Sequence, residues 1–120
     1  MHTDKITEKI ISCGMKVSNT LGAGFLEKVY ENAMVLELQK TELKVEQQKK
    51  IAVMYEGTVV GDYFADILVN DQVIIEVKAL KGIDESHHAQ LLNYLKATGI
   101  RVGLILNFGT SRMGIKRMVL

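Results

Sequence analysis

The sequence predicts an α/β fold, and three observations carry that prediction. The stretch from Tyr63 to Lys81, YFADILVNDQVIIEVKALK, reads as two apolar strands joined by a short polar turn. A helical stretch and a nearly continuous apolar strand, RVGLILN from Arg101 to Asn107, follow it and complete a strand–helix–strand unit. Two amphipathic helical patterns precede it.

In chain order, Thr3 to Leu21 reads as a helix because Ile6, Ile10, Cys13, Val17 and Leu21 recur at helical spacing, with Thr3 or Asp4 as its cap. Gly14 weakens this helix but admits a close neighbour. Leu21-Gly22-Ala23-Gly24 breaks it. A second helix runs from Phe25 or Leu26 to Gln39, with an apolar stripe of Leu26, Val29, Ala33 and Leu36. Glu27, Tyr30 or Glu31, Met34 and Leu38 form its other face. Tyr30 lies about one turn beyond Glu27, so phenol and carboxylate are expected within reach of each other. Glu27 also sits where the helix dipole favours negative charge, and spacing alone prefers that structural role.

Lys44 to Tyr55 reads as a strand, Glu56-Gly57 as a turn, and Thr58 to Gly61 as the return of a hairpin leading into the Tyr63 strand. Lys49 and Lys50 read as a solvated edge that discourages strand association, ahead of a phosphate contact. A third helix spans His87 to Thr98, capped by Ser86 or Asp84 and stopped by Gly99. Ala89, Leu92 and Leu95 are expected inward with Leu91 beside them, while Gln90 and Tyr94 share the adjoining face. The apolar run 101–107 suits a parallel strand covered on both sides, which makes the crossover right-handed. Ile115 to Val119 reads as a short edge strand.

Composition bounds the function. The 120 residues, 48% of them hydrophobic, fit one compact domain, 1–120, with an ordinary core. A net charge of +1 gives no bulk attraction for nucleic acid, so any such binding needs a local patch. The single Cys13 makes no intramolecular disulfide and fits a reducing cytoplasm. No apolar run reaches membrane-spanning length, the N-terminus lacks a signal-peptide layout, and without proline or low-complexity tracts no internal boundary is marked.

Three charges interrupt the apolar strands: Asp66 in the first, Glu76 and Lys78 in the second. Glu76 and Lys78 leave the same face, while Val73, Ile75, Val77 and Ala79 point to the other. A carboxylate in a buried sheet is costly unless a metal, a cation or hydrogen bonds compensate it. The set suits metal-assisted phosphodiester hydrolysis, in which hard oxygen ligands hold Mg²⁺ and a lysine serves the nucleophile or the developing charge. Glu-x-Lys alone is more often a solvated pair worth under ~1 kcal/mol. Asp66 on the preceding strand moves the balance towards a site.

The turn tests this. A two-residue turn at Asn70-Asp71 would set Asp66 opposite Ile75, on the wrong face from Glu76. A three-residue loop, Asn70-Asp71-Gln72, pairs Val69 with Val73 and Asp66 with Glu76, and is therefore expected.

Gly24-Phe25-Leu26-Glu27-Lys28-Val29-Tyr30 resembles the signature of the GxxExxY protein family, part of the PD-(D/E)xK nuclease-like superfamily. Asp66, Glu76-Val77-Lys78 and Gln90-Leu91-Leu92-Asn93-Tyr94 follow in that superfamily's order, the last resembling the QxxxY motif of RecB-like nucleases. Ala65 stands where proline is frequent. The resemblance implies a restriction-endonuclease-like fold, a central mixed sheet with helices on both faces. It implies Asp66 and Glu76 as Mg²⁺ (or Mn²⁺) ligands with the Val77 carbonyl as a third, and Glu27 approaching directly or through water. It further implies Lys78 on the attacking water or scissile phosphate, and Gln90 and Tyr94 positioning substrate or the acidic residues. His87 and His88 stay outside this set, because histidines at a helix start cap or face solvent and Mg²⁺ prefers oxygen.

The leading expectation is thus a Mg²⁺-dependent nuclease acting on DNA ahead of RNA, cytoplasmic, without membrane contact, with a homodimer or protein partner helping to hold substrate. The alternatives are a non-catalytic nucleic-acid or protein-binding module that keeps the fold, and a dimeric structural protein with a buried ion-pair network.

Overall fold

A computed structural model describes residues Met1–Leu120. Its elements, in order, are α1 (Thr3–Leu21), α2 (Glu27–Gln39), β1 (Val45–Tyr55), β2 (Thr58–Val69), β3 (Val73–Lys78), α3 (Glu85–Thr98), β4 (Val102–Asn107) and β5 (Gly114–Val119). The strands form one mixed sheet in the order β1-β2-β3-β4-β5. Only β3 and β4 run parallel; the other neighbours are antiparallel.

Alternation along the central strands builds two cores. Ile67, Val69, Val73, Ile75, Val77, Leu104 and Leu106 face α1 and α2. Leu68, Ile74 and Ile105 face α3, where they meet Leu91, Tyr94 and Leu95. The sheet is therefore covered by helices on both sides, as expected, and all six residues of β4 are buried. No helix is long and apolar enough to cross a membrane.

α1 buries the expected stripe, with Ile6, Ile10 and Val17 inside and Cys13 and Leu21 at its margin. Its cap is neither Thr3 nor Asp4. His2 holds that place, its Nδ1 accepting from the Asp4 backbone at 3.2 Å. Gly14 does permit a close neighbour, since a Cβ there would lie 2.7 Å from Met113 Sδ.

Of the two faces of α2, the one carrying Tyr30, Met34 and Leu38 turns inward. The stripe of Leu26, Val29 and Leu36 faces outward, with Leu26 82% and Leu36 62% exposed. Tyr30, Met34, Val35 and Leu38 are buried instead. This orientation follows the largest side chain, because the Tyr30 ring stacks on Phe108 with centroids 4.9 Å apart and planes within 6°. The Tyr30 hydroxyl does not pair with Glu27. It donates to the Gly22 carbonyl at 2.6 Å and accepts from the Phe25 N–H at 3.1 Å, pinning the loop between α1 and α2.

The hairpin β1–β2 closes on Glu56-Gly57, both at positive φ, the conformation a tight two-residue turn requires. β2 is continuous through residues 58–69, and its register shifts once, between Val53 and Met54 of the partner strand. Lys49 and Lys50 lie on the edge strand β1, as expected, paired with Glu46 at 3.1 Å and Asp62 at 3.7 Å. α3 starts two residues before the expected His87, with Asp84 as cap and the His87 Nδ1 accepting from the Asp84 backbone. It buries Leu91, Tyr94 and Leu95, whereas Ala89, expected inward, is exposed and Leu92 half-buried. A bulky aromatic again displaces the purely aliphatic stripe. β5 is the edge strand expected near the C-terminus.

The exit of β3 is clamped from β4. The buried Asn107 stands beside Lys78 in the register, donates Nδ2 to the Leu80 carbonyl at 2.9 Å, and accepts from the Leu80 and Gly109 N–H groups. Two backbone segments approach so closely that a Cβ on Gly109 would lie 2.1 Å from the Leu80 oxygen. Gly109→Ala should therefore destabilise the fold by about 1–3 kcal/mol or more, since backbone has to move. Gly82→Ala, which meets nothing within 4 Å, should stay within about 0.5 kcal/mol. Urea unfolding of the two variants beside wild type checks the contrast.

Candidate active site

The turn between β2 and β3 has the expected parity. Val69 pairs with Val73, Leu68 with Ile74 and Ile67 with Ile75 across the loop Asn70-Asp71-Gln72. Asn70 and Asp71 both take positive φ, which short polar side chains tolerate best, and the Gln72 N–H closes the turn on the Val69 carbonyl at 2.9 Å. Counting on, Asp66 falls opposite Glu76.

The regular ladder ends there, and side chains take over from the backbone. Glu76 Oε2 accepts the Asp66 N–H at 2.9 Å, and Asp66 Oδ2 accepts the Val77 N–H at 2.8 Å. Each strand thus lends the other a carboxylate where a backbone carbonyl would otherwise stand. An extended residue sends its N–H and C=O to the same edge, so the Val77 carbonyl faces the same opening as its N–H.

These two carboxylates pay electrostatically for their position. Glu76 is only 4% exposed. Burial first, then the Asp66 charge, push its carboxyl up to about 8, against the lowering effect of the Asp66 N–H and Lys78. Asp66 is raised as well, by burial ahead of the Glu31 and Glu27 charges, with the Val77 N–H and Lys78 opposing. Burial also raises the Tyr94 phenol, reinforced by Glu76, Asp66 and Tyr63, while the Gln90 side chain opposes. The structure therefore brings Asp66, Glu76, Glu27, Lys78 and Tyr94 within electrostatic reach of one another where β2 and β3 part, with Gln90 beside Tyr94. His87 caps α3 and His88 lies 3.6 Å from Glu85.

Sequence reading missed a second layer. Glu31, 3% exposed, accepts from Lys28 Nζ at 2.9 Å, Gln47 Nε2 at 2.7 Å and Gln48 Nε2 at 3.0 Å. Burial pushes it up, but these donors outweigh burial and hold it below the usual carboxylate range. Gln48 lies opposite Asp66 at φ 53°, and its amide also approaches Asp66 Oδ1 at 3.4 Å. The one available signal was spacing: Glu31 lies four residues after Glu27, on the same side of α2. Nothing in the sequence marked Gln48, whose role depends on an unusual backbone angle, or Asn107, whose role is set by β4 register.

A pH dependence follows. The folded Glu76 binds its proton more tightly than an unfolded glutamate does. Its contribution to stability is full below the ordinary carboxylate range and is lost as pH rises from about 4.5 through about 8. Asp66 acts in the same direction. Metal-free protein should therefore lose on the order of a few kcal/mol from this pair between pH 5 and pH 8.5, and Glu76→Gln should flatten the slope. Urea unfolding of both proteins across that range, in chelator, gives the measurement, and parallel pH profiles would contradict it.

Comparison with known proteins bears on this arrangement. The family model for the PD-(D/E)XK nuclease superfamily matches residues 4–118. No curated protein matches. Among solved structures, the crystal structure of SSO0001 superposes with a TM-score of 0.57 at 19% identity, over 77% of this chain and 48% of that one. The chain thus spans about half the length of that structure, and the likeness concerns the fold. Five strands in a mixed sheet between helices are consistent with the restriction-endonuclease-like fold. With nearly its whole length matched, the chain belongs to the PD-(D/E)XK nuclease superfamily.

Proposed function

We propose that this chain is a divalent-metal-dependent nuclease that hydrolyses phosphodiester bonds of DNA ahead of RNA, of the GxxExxY type. The observation that carries the reading is the paired carboxylate exchange between Asp66 and Glu76. A buried acid and a half-buried one sit at the opening of one sheet, and burial, then the Asp66 charge, raise Glu76 to about 8. A cation answers that excess of negative charge. The donor set is hard oxygen, which fits Mg²⁺ or Mn²⁺ in kind: Glu76 Oε1, Asp66 Oδ1, which takes only a long bond from Gln48, and the Val77 carbonyl. Glu27 adds charge from the first turn of α2 and would act directly or through water.

When bound, the metal would polarise the phosphate and lower the pKa of a water. The chain's own residues have separate tasks. Lys78, on the same strand face as Glu76, would hold the nucleophile or the charge developing on phosphate. Gln90 and Tyr94, one turn apart on α3, would together fix substrate over the carboxylates. A reducing cytoplasm suits the half-buried lone Cys13. A second reading, a nucleic-acid-binding module without catalysis, is favoured by one observation: no three His, Cys, Asp or Glu side chains converge as a ready metal cage.

Metal binding and cleavage separate the readings. Mg²⁺ or Mn²⁺ should raise the Tm of the wild type, more at pH 8 than at pH 6, because protons compete for Glu76. Asp66→Asn should weaken both metal binding and cleavage. Lys78→Ala should keep metal binding in calorimetry yet lose roughly 10²-fold or more in cleavage of single- and double-stranded DNA or RNA. Glu27→Gln should lose less than Asp66→Asn, and Gln90→Ala least. Metal binding without cleavage of any substrate would leave the binding-module reading standing.

A further inference from the structure

A cleft of about 770 Å³ lies between the β1–β2 hairpin and α3, beside the carboxylates but not containing them. Beyond its last pair with β3 at Ile67, β2 runs on with β1 as a two-stranded ribbon towards Glu56-Gly57. Tyr63 projects from that ribbon, 50% exposed, and its ring lies 5.8 Å from the Tyr94 ring at a 45° tilt. Gln90 and Tyr94 line the cleft, and the Tyr94 phenol lies within electrostatic reach of Glu76 and Asp66, so the cleft borders the carboxylate pair at Tyr94. Tyr63 stands three residues from Asp66 on one strand, roughly 10 Å away.

We propose that this cleft is a binding site for one unpaired nucleobase next to the scissile phosphate, with Tyr63 as its stacking surface. The inference rests on the nuclease reading. Three features fit a base better than an apolar peptide. The first is the tyrosine pair, in which the half-exposed Tyr63 ring, tilted 45° from Tyr94, is available for stacking. The second is the polar wall: the Asn93 and Gln90 amides each carry donor and acceptor atoms of the kind that read base edges. The third is Lys96 at the margin, a cation for the adjoining phosphate backbone. A volume of about 770 Å³ lies within the usual range for small-ligand sites. A base held there must be unstacked, so the preferred substrate is a single strand or a duplex end that opens.

Fluorescence anisotropy in chelator, where no cleavage occurs, tests the proposal. The probes are a labelled oligothymidylate, the same strand with a run of abasic spacers, and a blunt duplex. Wild type should bind oligothymidylate more tightly than either of the others. Tyr63→Ala should weaken that binding by roughly 5- to 150-fold, the range of one base–aromatic stack, and leave the abasic strand unchanged. Tyr63→Phe should restore it, and Asn93→Ala, an exposed change on α3, should give a smaller loss. The Mg²⁺-induced rise in Tm should be the same in all three variants. Equal binding of base-bearing and abasic strands by the wild type, or no loss in Tyr63→Ala, overturns the base site whatever the cleavage assay shows. Tyr63-dependent binding without cleavage by the wild type would uphold the base site and sink the catalytic reading instead.

Discussion

Two hydrogen bonds at the parting of β2 and β3 set the terms for the rest of the molecule. Asp66 and Glu76 each accept a backbone N–H from the other's strand, at 2.8 and 2.9 Å respectively. A sheet interior normally satisfies such donors with backbone carbonyls. Using carboxylates instead brings two acids into a partly buried place, where burial and mutual repulsion both oppose their ionising together. The exchange makes the acids part of the fold: removing either side chain strands a backbone donor. It also leaves one oxygen of each free of that duty and a neighbouring carbonyl aimed the same way. Structure and candidate chemistry thus share the same atoms.

That cost has to be carried by packing elsewhere, and the core is arranged to do so. Val73, Ile75 and Val77 alternate with the charged positions of β3 and are fully buried against α1 and α2. Opposite them, Ile74, Leu91 and Leu95 hold α3 to the sheet. Burying a branched aliphatic side chain is worth about 1.5–3 kcal/mol, so a few of these offset one strained acid. The Asn107 clamp on Leu80 then fixes where the chain goes after Lys78, and Glu31 with its three donors anchors the neighbourhood of Gln48 and Asp66.

Much of this was legible in the sequence. The helices and the covered β4 follow from apolar spacing, the hairpin from the Glu56-Gly57 turn, and the parity of the Asn70-Asp71-Gln72 loop from the need to set Asp66 on the face of Glu76. The face that each helix buries was not equally legible. In α2 and α3 an aliphatic stripe competes with a stripe containing tyrosine, and the tyrosine prevailed both times, at Tyr30 and Tyr94. Ring area and a hydroxyl needing a partner outweigh an extra leucine, and a pattern that scores residues only as apolar cannot weigh that. Gln48 and Asn107 lay beyond reach for another reason. Each acts on a residue far along the chain, through a backbone angle or a register that only the assembled sheet defines.

Tyr30 shows how a motif residue can serve a site without touching it. Its ring lies flat on Phe108, just past the end of β4, and its hydroxyl ties together Gly22 and Phe25 on either side of the glycine loop. Gly22 and Gly24 both take positive φ there, which lets the chain reverse between α1 and α2. Glu27 is the first residue of the helix that follows, so its position is dictated by how that loop is pinned. A glycine, a glutamate and a tyrosine at fixed spacing therefore describe one mechanical unit: a reversal, the charge it presents and the bolt that holds it. The glutamate's charge reaches Asp66 and Glu76 because the tyrosine's ring is seated against the end of the sheet.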